Sequence, residues 1–376
     1  MKKSTFLLLI LLLLIQPVQG LERGNYRAVM QNVQARFNRV EGLFTGYRLN
    51  MKRTTLPGLT AHIQTGFGFH AQQFHYQAGL DYQQPKYTLS AAAFDRTETN
   101  DKPIISVSEN SFFSLLFKGD YRDYYRAKNG FEIKGAYRYR PRLLLFGRFI
   151  TFSYHSMPVE HQWSIFRNSR TFRDNPAVRP GTLNRIQAGF LFQTRRSPRV
   201  FLNAWTLSGE YERGFREFDY NGLILAAKRH QKTILGNQVF ILQARLATRS
   251  DTAEQNLFDL GGVGTLRGYG IKEFTGNRML MFNIDYLFQG DLLGKIPLKG
   301  FHLANLILFF DTGWTTLQPK SESFLTGFQD LRLSDFKSNL GLAIGITERL
   351  MRINIARRLD RGNDAWTVSV RFLREL

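Results

Sequence analysis

From about residue 40 to its end, the chain repeats one pattern. Segments of roughly ten residues carry apolar side chains at every second position and are separated by turn residues. The clearest instance puts Leu280, Phe282, Ile284, Tyr286 and Phe288 on one face and Met281, Asn283, Asp285 and Leu287 on the other. Over residues 339–346, Leu340, Leu342, Ile344 and Ile346 alternate with Asn339, Gly341, Ala343 and Gly345. A period of two places successive side chains on opposite faces of a strand, so such a chain is committed to sheet. About sixteen segments can be counted by this template. They begin near Val40, Leu59, Gln73, Tyr87, Ser111, Gly130, Leu143, Leu183, Phe201, Asp219, Gln238, Arg278, His302, Phe336, Leu350 and Asp364.

The first residues set the compartment. Lys2 and Lys3 precede an apolar run from Phe6 to Ile15, and Gly20 offers a small residue at a cleavage site. The run is shorter than the roughly 20 apolar residues that span a bilayer as a helix, so residues 1–20 read as a signal peptide. Residues 21–37 form a short leader. Tyr26, Val29, Met30 and Val33 recur at helical spacing within it, which suits a small amphipathic helix or a frayed segment. Residues 38–376 make one domain. No cysteine is present, so disulfides and thiolate metal sites are excluded.

Alternation also occurs in soluble sandwiches, where the apolar face lies inside. Here the polar faces carry small residues and clustered charge, as in a crowded, wet lumen. Aromatic residues recur at strand ends (Trp205, Tyr211, Tyr269, Trp314, Trp366), as interface girdles do. Long connections (residues 157–184, 250–277 and 316–335) alternate with tight ones around Pro141, Pro198 and Glu348. The expected fold is therefore an all-β, transmembrane antiparallel barrel of about sixteen strands. The net charge of +21 would suggest nucleic acid in a cytosolic protein. In an exported barrel it is assigned to lumen and rims facing anionic headgroups, with no nucleic-acid partner.

Two motifs are more specific. Residues 261–269 read Gly-Gly-Val-Gly-Thr-Leu-Arg-Gly-Tyr, with Arg267, Gly268 and Tyr269 at the end; Phe309, Asp311 and Gly313 form F-x-D-x-G on the thirteenth segment. The pair resembles the RGY/RGF loop and strand-thirteen motif of the BamA/TamA-type outer-membrane superfamily, the bacterial surface antigen family. The likeness is firm from about Gln238 onward. It implies a sixth outer loop folded into the lumen, with Arg267 meeting Asp311. On physical grounds Arg267 suits a carboxylate because its planar fork gives two hydrogen bonds. Asp285, inward on the twelfth segment, is a second candidate acceptor.

The resemblance implies a barrel in the outer membrane of a Gram-negative-type bacterium that assists insertion or translocation of proteins or lipid. Outer-membrane lipid and lipopolysaccharide, client outer-membrane proteins or a periplasmic partner would be its partners. Opening of the first/last strand seam would be the mechanism, with Gly42 and Gly46 on the first strand. The alternative is a passive channel or structural barrel. The short leader leaves no room for a periplasmic POTRA module. None of the seven histidines stands in a triad setting, so no enzyme, metal or cofactor is expected; His70 and His75 are placed beside a periplasmic turn.

Overall fold

The computed structural model describes residues 32–372, except 53–55, 160, 167–168, 195–202, 235–237, 289–303, 321, 347–350 and 361–365. The alternation becomes a single antiparallel sheet of sixteen strands. Its members are β1 (Val33–Asn38), β2 (Gly42–Lys52), β3 (Leu59–Gly68), β4 (Gln73–Gln83), β5 (Tyr87–Glu98), β6 (Tyr125–Arg140), β7 (Leu143–Ser156) and β8 (Gly181–Gln193). They continue with β9 (Ala204–Arg216), β10 (Tyr220–Lys232), β11 (Val239–Arg249), β14 (Arg278–Phe288), β15 (Ala304–Thr316), β16 (Lys337–Ile346), β17 (Met351–Arg358) and β18 (Trp366–Phe372). Each strand pairs with its neighbour in the chain. The exceptions are β12 (Phe258–Leu260) and β13 (Phe274–Gly276), which leave the wall and pair with each other, so that β11 pairs with β14. In wall order, β14 and β15 are therefore strands twelve and thirteen.

The faces are inverted relative to a sandwich. Leu340, Leu342 and Ile344 are exposed, whereas Asn339, Gly341 and Ala343 between them are buried. Ile353 and Ile355 likewise point out, while Arg352, Asn354 and Ala356 point in. The apolar face is thus the outer surface of a barrel, and the polar face lines its lumen. No helix among the described residues is long and apolar enough to cross a membrane. The lumen is not uniformly wet, however. Phe94, Tyr125, Phe152, Tyr154, Leu183, Phe218 and Tyr220 form a dry inner cluster.

Four long loops leave one end, at residues 99–124, 157–180, 250–277 and 317–336, while the other end has turns as short as residues 84–86 and 141–142. Two strand assignments differ from the sequence reading, and they compensate in the count. The segment near Ser111 is not a strand but a helix, α1 (Val107–Phe117). Ser106 caps it by accepting the Glu109 amide, and Lys118 closes it in the left-handed conformation (φ 59°). Conversely, β1 arises from residues read as leader. It joins β2 through a turn in which the Asn38 side chain accepts the amides of Val40 (3.0 Å) and Glu41 (2.7 Å). The barrel thus begins at Val33 rather than residue 38, and Gly42 and Gly46 lie on the second strand. The shift also moves His70 and His75 to the long-loop end, beside the β3–β4 turn. Residues 1–20 and the leader positions Tyr26, Val29 and Met30 lie outside the described residues.

Candidate functional site: a loop held inside the barrel

The loop over residues 250–277 folds back into the lumen. Its β12–β13 ribbon carries a tip in which Gly261 (φ 120°) and Gly262 (φ 90°) adopt backbone that a side chain would strain. The tip closes on itself: Gly262 donates to the Leu266 carbonyl and Gly261 to Thr265 Oγ1. Leu260, Leu266 and Tyr269 pack on Ala247, Met279 and Met281 of the inner wall. Burial of that apolar surface holds the loop down.

Arg267 lies at the turn of the tip, 4% exposed. Its Nε donates to Asp311 Oδ2 at 2.8 Å, its Nη2 to Asp311 Oδ1 at 2.5 Å and to Asp285 Oδ1 at 2.6 Å. The Arg267 backbone amide donates to Asp311 Oδ2 as well, at 3.1 Å. The guanidinium carbon sits 3.7 Å from the centre of the Phe309 ring, a cation–π contact. Burial alone would lower the affinity of Arg267 for its proton; Asp285 and Asp311 outweigh it and raise its pKa above the ordinary arginine value. The two motif halves and the second acceptor are therefore brought together in space.

The neighbouring strands complete the shell. Asp311 is opposite Asn283 on β14 and Asn339 on β16, and both amides donate to it, at 2.7 and 2.9 Å. Arg352 reaches Asp285 at 3.2 Å. The three polar residues Asn283, Asn339 and Arg352 were not singled out from sequence, although cross-strand register from Asp311 would have reached the two asparagines. Gly268 is needed because a Cβ there would lie 2.7 Å from that of Asn339; at Gly313 it would lie 2.9 Å from Leu260 Cδ1. Tyr269 is buried rather than part of an outer girdle: its hydroxyl donates to the Ser338 carbonyl at 3.0 Å, and Arg358 covers its ring at 4.0 Å. Trp314 is covered too, by Phe328, whereas Trp205, Tyr211 and Trp366 are exposed. Beneath the tip lies a cavity of about 140 Å³ lined by Lys228, Arg267, Asp285, Arg352 and Arg371.

A second polar centre, unforeseen from sequence, ties the long loops together. Lys272 reaches Asp101 (2.8 Å), Asp123 (2.7 Å) and Asp259 (3.0 Å). Burial opposes the Lys272 charge, but the three carboxylates raise its pKa. Burial, helped by Asp101 and Asp123, raises that of Asp259. Arg39, fully buried in the β1–β2 turn, reaches Asp123 (2.7 Å) and Asn175 (3.1 Å) from a second loop. Among the described residues no group of three or more histidine, cysteine or acidic side chains is arranged to hold a metal.

Fold and loop together define a sixteen-stranded antiparallel barrel with an inward-folded loop between its eleventh and twelfth strands. No family model matches the sequence, and no curated protein does. Among solved structures, the chain is similar to BamA from Haemophilus ducreyi lacking POTRA domains 1–3. The TM-score is 0.57 at 11% identity, covering 90% of this chain and 68% of that one. CdiB from Acinetobacter baumannii gives a TM-score of 0.48 at 12% identity, over 90% of this chain and 58% of that one. OprD from Pseudomonas aeruginosa gives 0.38 at 9%, over 88% and 86%. At 11% identity the likeness to the BamA structure is one of fold.

Proposed function

We propose that the chain is an outer-membrane barrel of the BamA/TamA type, which assists insertion or translocation of proteins or lipid across a Gram-negative-type outer membrane. The observation that carries the reading is the Arg267–Asp311 pair, which joins the two sequence motifs of that superfamily through one buried contact. The short outermost strands add support: β1 has six residues and β18 seven, and no ladder joins them among the described residues. A seam without a ladder has little backbone pairing to lose on opening. Lipopolysaccharide and unfolded outer-membrane proteins are the partners this reading names, and no enzymatic step belongs to it.

The test is reconstitution of the full chain in lipid vesicles, with folding of a small unfolded outer-membrane protein followed by its shift in electrophoretic mobility. The reading expects faster client folding than in empty vesicles. It expects that gain to fall when Arg267→Cys and Asp311→Cys are joined by a disulfide, and to return on reduction. Unchanged client folding, together with a steady ion-selective conductance in planar bilayers, would replace it with a passive channel.

A further inference from the structure

Helix α1 has its polarity reversed for a soluble protein. Glu109, Asn110 and Ser114 are buried, while Val107, Phe112 and Phe117 are exposed, Phe112 by 41% and Phe117 by 38%. A helix in water shows the opposite arrangement. Its position accounts for the reversal. Ser111 Oγ accepts the backbone amide of Phe37 on β1 at 3.2 Å. Glu109 Oε1 accepts the backbone amide of Phe372 on β18 at 2.9 Å. Two side chains of one helix, two residues apart, thus satisfy amides on the two outermost strands.

The faces follow from the alternation of β18. Arg371 points inward and pairs with Glu109 at 3.2 Å; it also donates to the carbonyls of Ile104 and Val263, the latter in the latched loop. Phe372 points outward, and Phe112 and Phe113 pack on its ring with centroids 4.6 and 5.3 Å away. Glu109 of α1 therefore meets the inward face of β18, and Phe112 and Phe113 meet its outward face. Beyond the helix, Phe166 stacks on Phe117 and is itself 54% exposed.

We infer that α1 is a stave of the barrel wall, filling the seam between β1 and β18, and that its Phe112/Phe117 face is a binding surface for lipid acyl chains. The occupant is hydrocarbon because the face is continuous with the apolar outer surface of the barrel and carries no charge. An α-helix can fill this place because its own backbone bonds are internal; only the strand edges need partners, and Glu109 and Ser111 supply one to an amide on each. The inference holds whether or not the barrel handles clients. It makes displacement of α1 the step that would open the wall.

The test uses single cysteines in the otherwise cysteine-free chain, folded in vesicles and labelled with an environment-sensitive fluorophore. Phe112→Cys is compared with Leu342→Cys on the outer wall and Gln243→Cys on the lumen. Phe117→Cys serves if Phe112→Cys does not fold. The stave predicts loss of fluorescence on brominated acyl chains like that at Leu342→Cys, and protection from aqueous iodide. It also predicts a disulfide between Phe113→Cys and Phe372→Cys in the folded barrel. Iodide quenching at α1 like that at Gln243→Cys, or efficient disulfides directly between β1 and β18 (Ala35→Cys with Val368→Cys or Val370→Cys), would overturn it.

Discussion

At the scale of single residues, the barrel depends on a few buried charges whose partners are fixed. Removing Arg267 leaves Asp311 and Asp285 facing each other without their shared cation. Loss of one partner of a buried pair costs about 3–5 kcal/mol, so Arg267→Ala is expected to lower the urea midpoint in detergent clearly. Arg267→Lys should recover only part of it, because an ammonium lacks the fork that meets Asp311 with two bonds. His161 offers a separate handle. It is buried in the loop over residues 157–180 against Phe37, His70 and Phe172. Burial, with His70 and Lys118 adding to it, pushes its pKa down to about 4. A histidine depressed in the fold favours the folded state fully above its unfolded pKa, near 6.5. That contribution is lost as pH falls from there toward 4, by up to about 1.4 kcal/mol per unit. Urea midpoints at pH 7 and 4.5 should therefore differ less in His161→Phe than in the parent, and an equal difference would exclude His161 as a source.

At the scale of elements, sequence and structure agree where alternation is long and clean. The run over residues 280–288 has the faces its pattern requires. The segment Ser111-Phe112-Phe113-Ser114-Leu115-Leu116-Phe117 is apolar enough for a wall strand, and its flanks are what make it a helix. Ser106 with Glu109 three residues on is a helix-start signature, and Gly119 stands at the stop. The low polarity of the helix reflects its place in the wall, which no local rule foresees. β1 is illegible for the opposite reason: six residues give too few alternations to read, and its faces are set by the turn through Asn38 and Glu41. The loop motif was legible, yet its packing was not, since Leu260 and Leu266 meet Met279 and Met281 across a strand reversal. Gly268 tests that packing. A methyl there meets Asn339, so Gly268→Ala should lift the tip and expose residues 250–277 to protease added at the long-loop end; resistance equal to the parent would mean that β16 yields instead.

At the scale of the whole molecule, the inverted faces decide how the barrel responds to added charge. Leu342 points into hydrocarbon, and an arginine there is expected to cost about 2–4 kcal/mol near the bilayer midplane. Gln243 lines the cavity under the loop tip, where the same charge can be hydrated. Refolding yields and denaturant midpoints in vesicles should therefore fall for Leu342→Arg and change far less for Gln243→Arg. Similar losses at both positions would contradict the assignment of faces. The outer girdle, too, is narrower than the sequence suggested, because Tyr269 and Trp314 serve the loops and not the lipid interface.

The bond between Glu109 and Arg371 has a bearing on time. Each wall strand pairs with a near neighbour in the chain, so most of the barrel can form from local contacts. The stave cannot do so. Its Glu109 and the Arg371 that it holds on β18 are separated by 262 positions, and contacts so distant in the chain are slow to form. The helix contact with β18 therefore closes by far the longest loop of the wall, and closure of the seam is expected to lag behind the pairing of neighbouring strands. Until then the barrel has two bare margins, and a chain truncated before Trp366 would keep them.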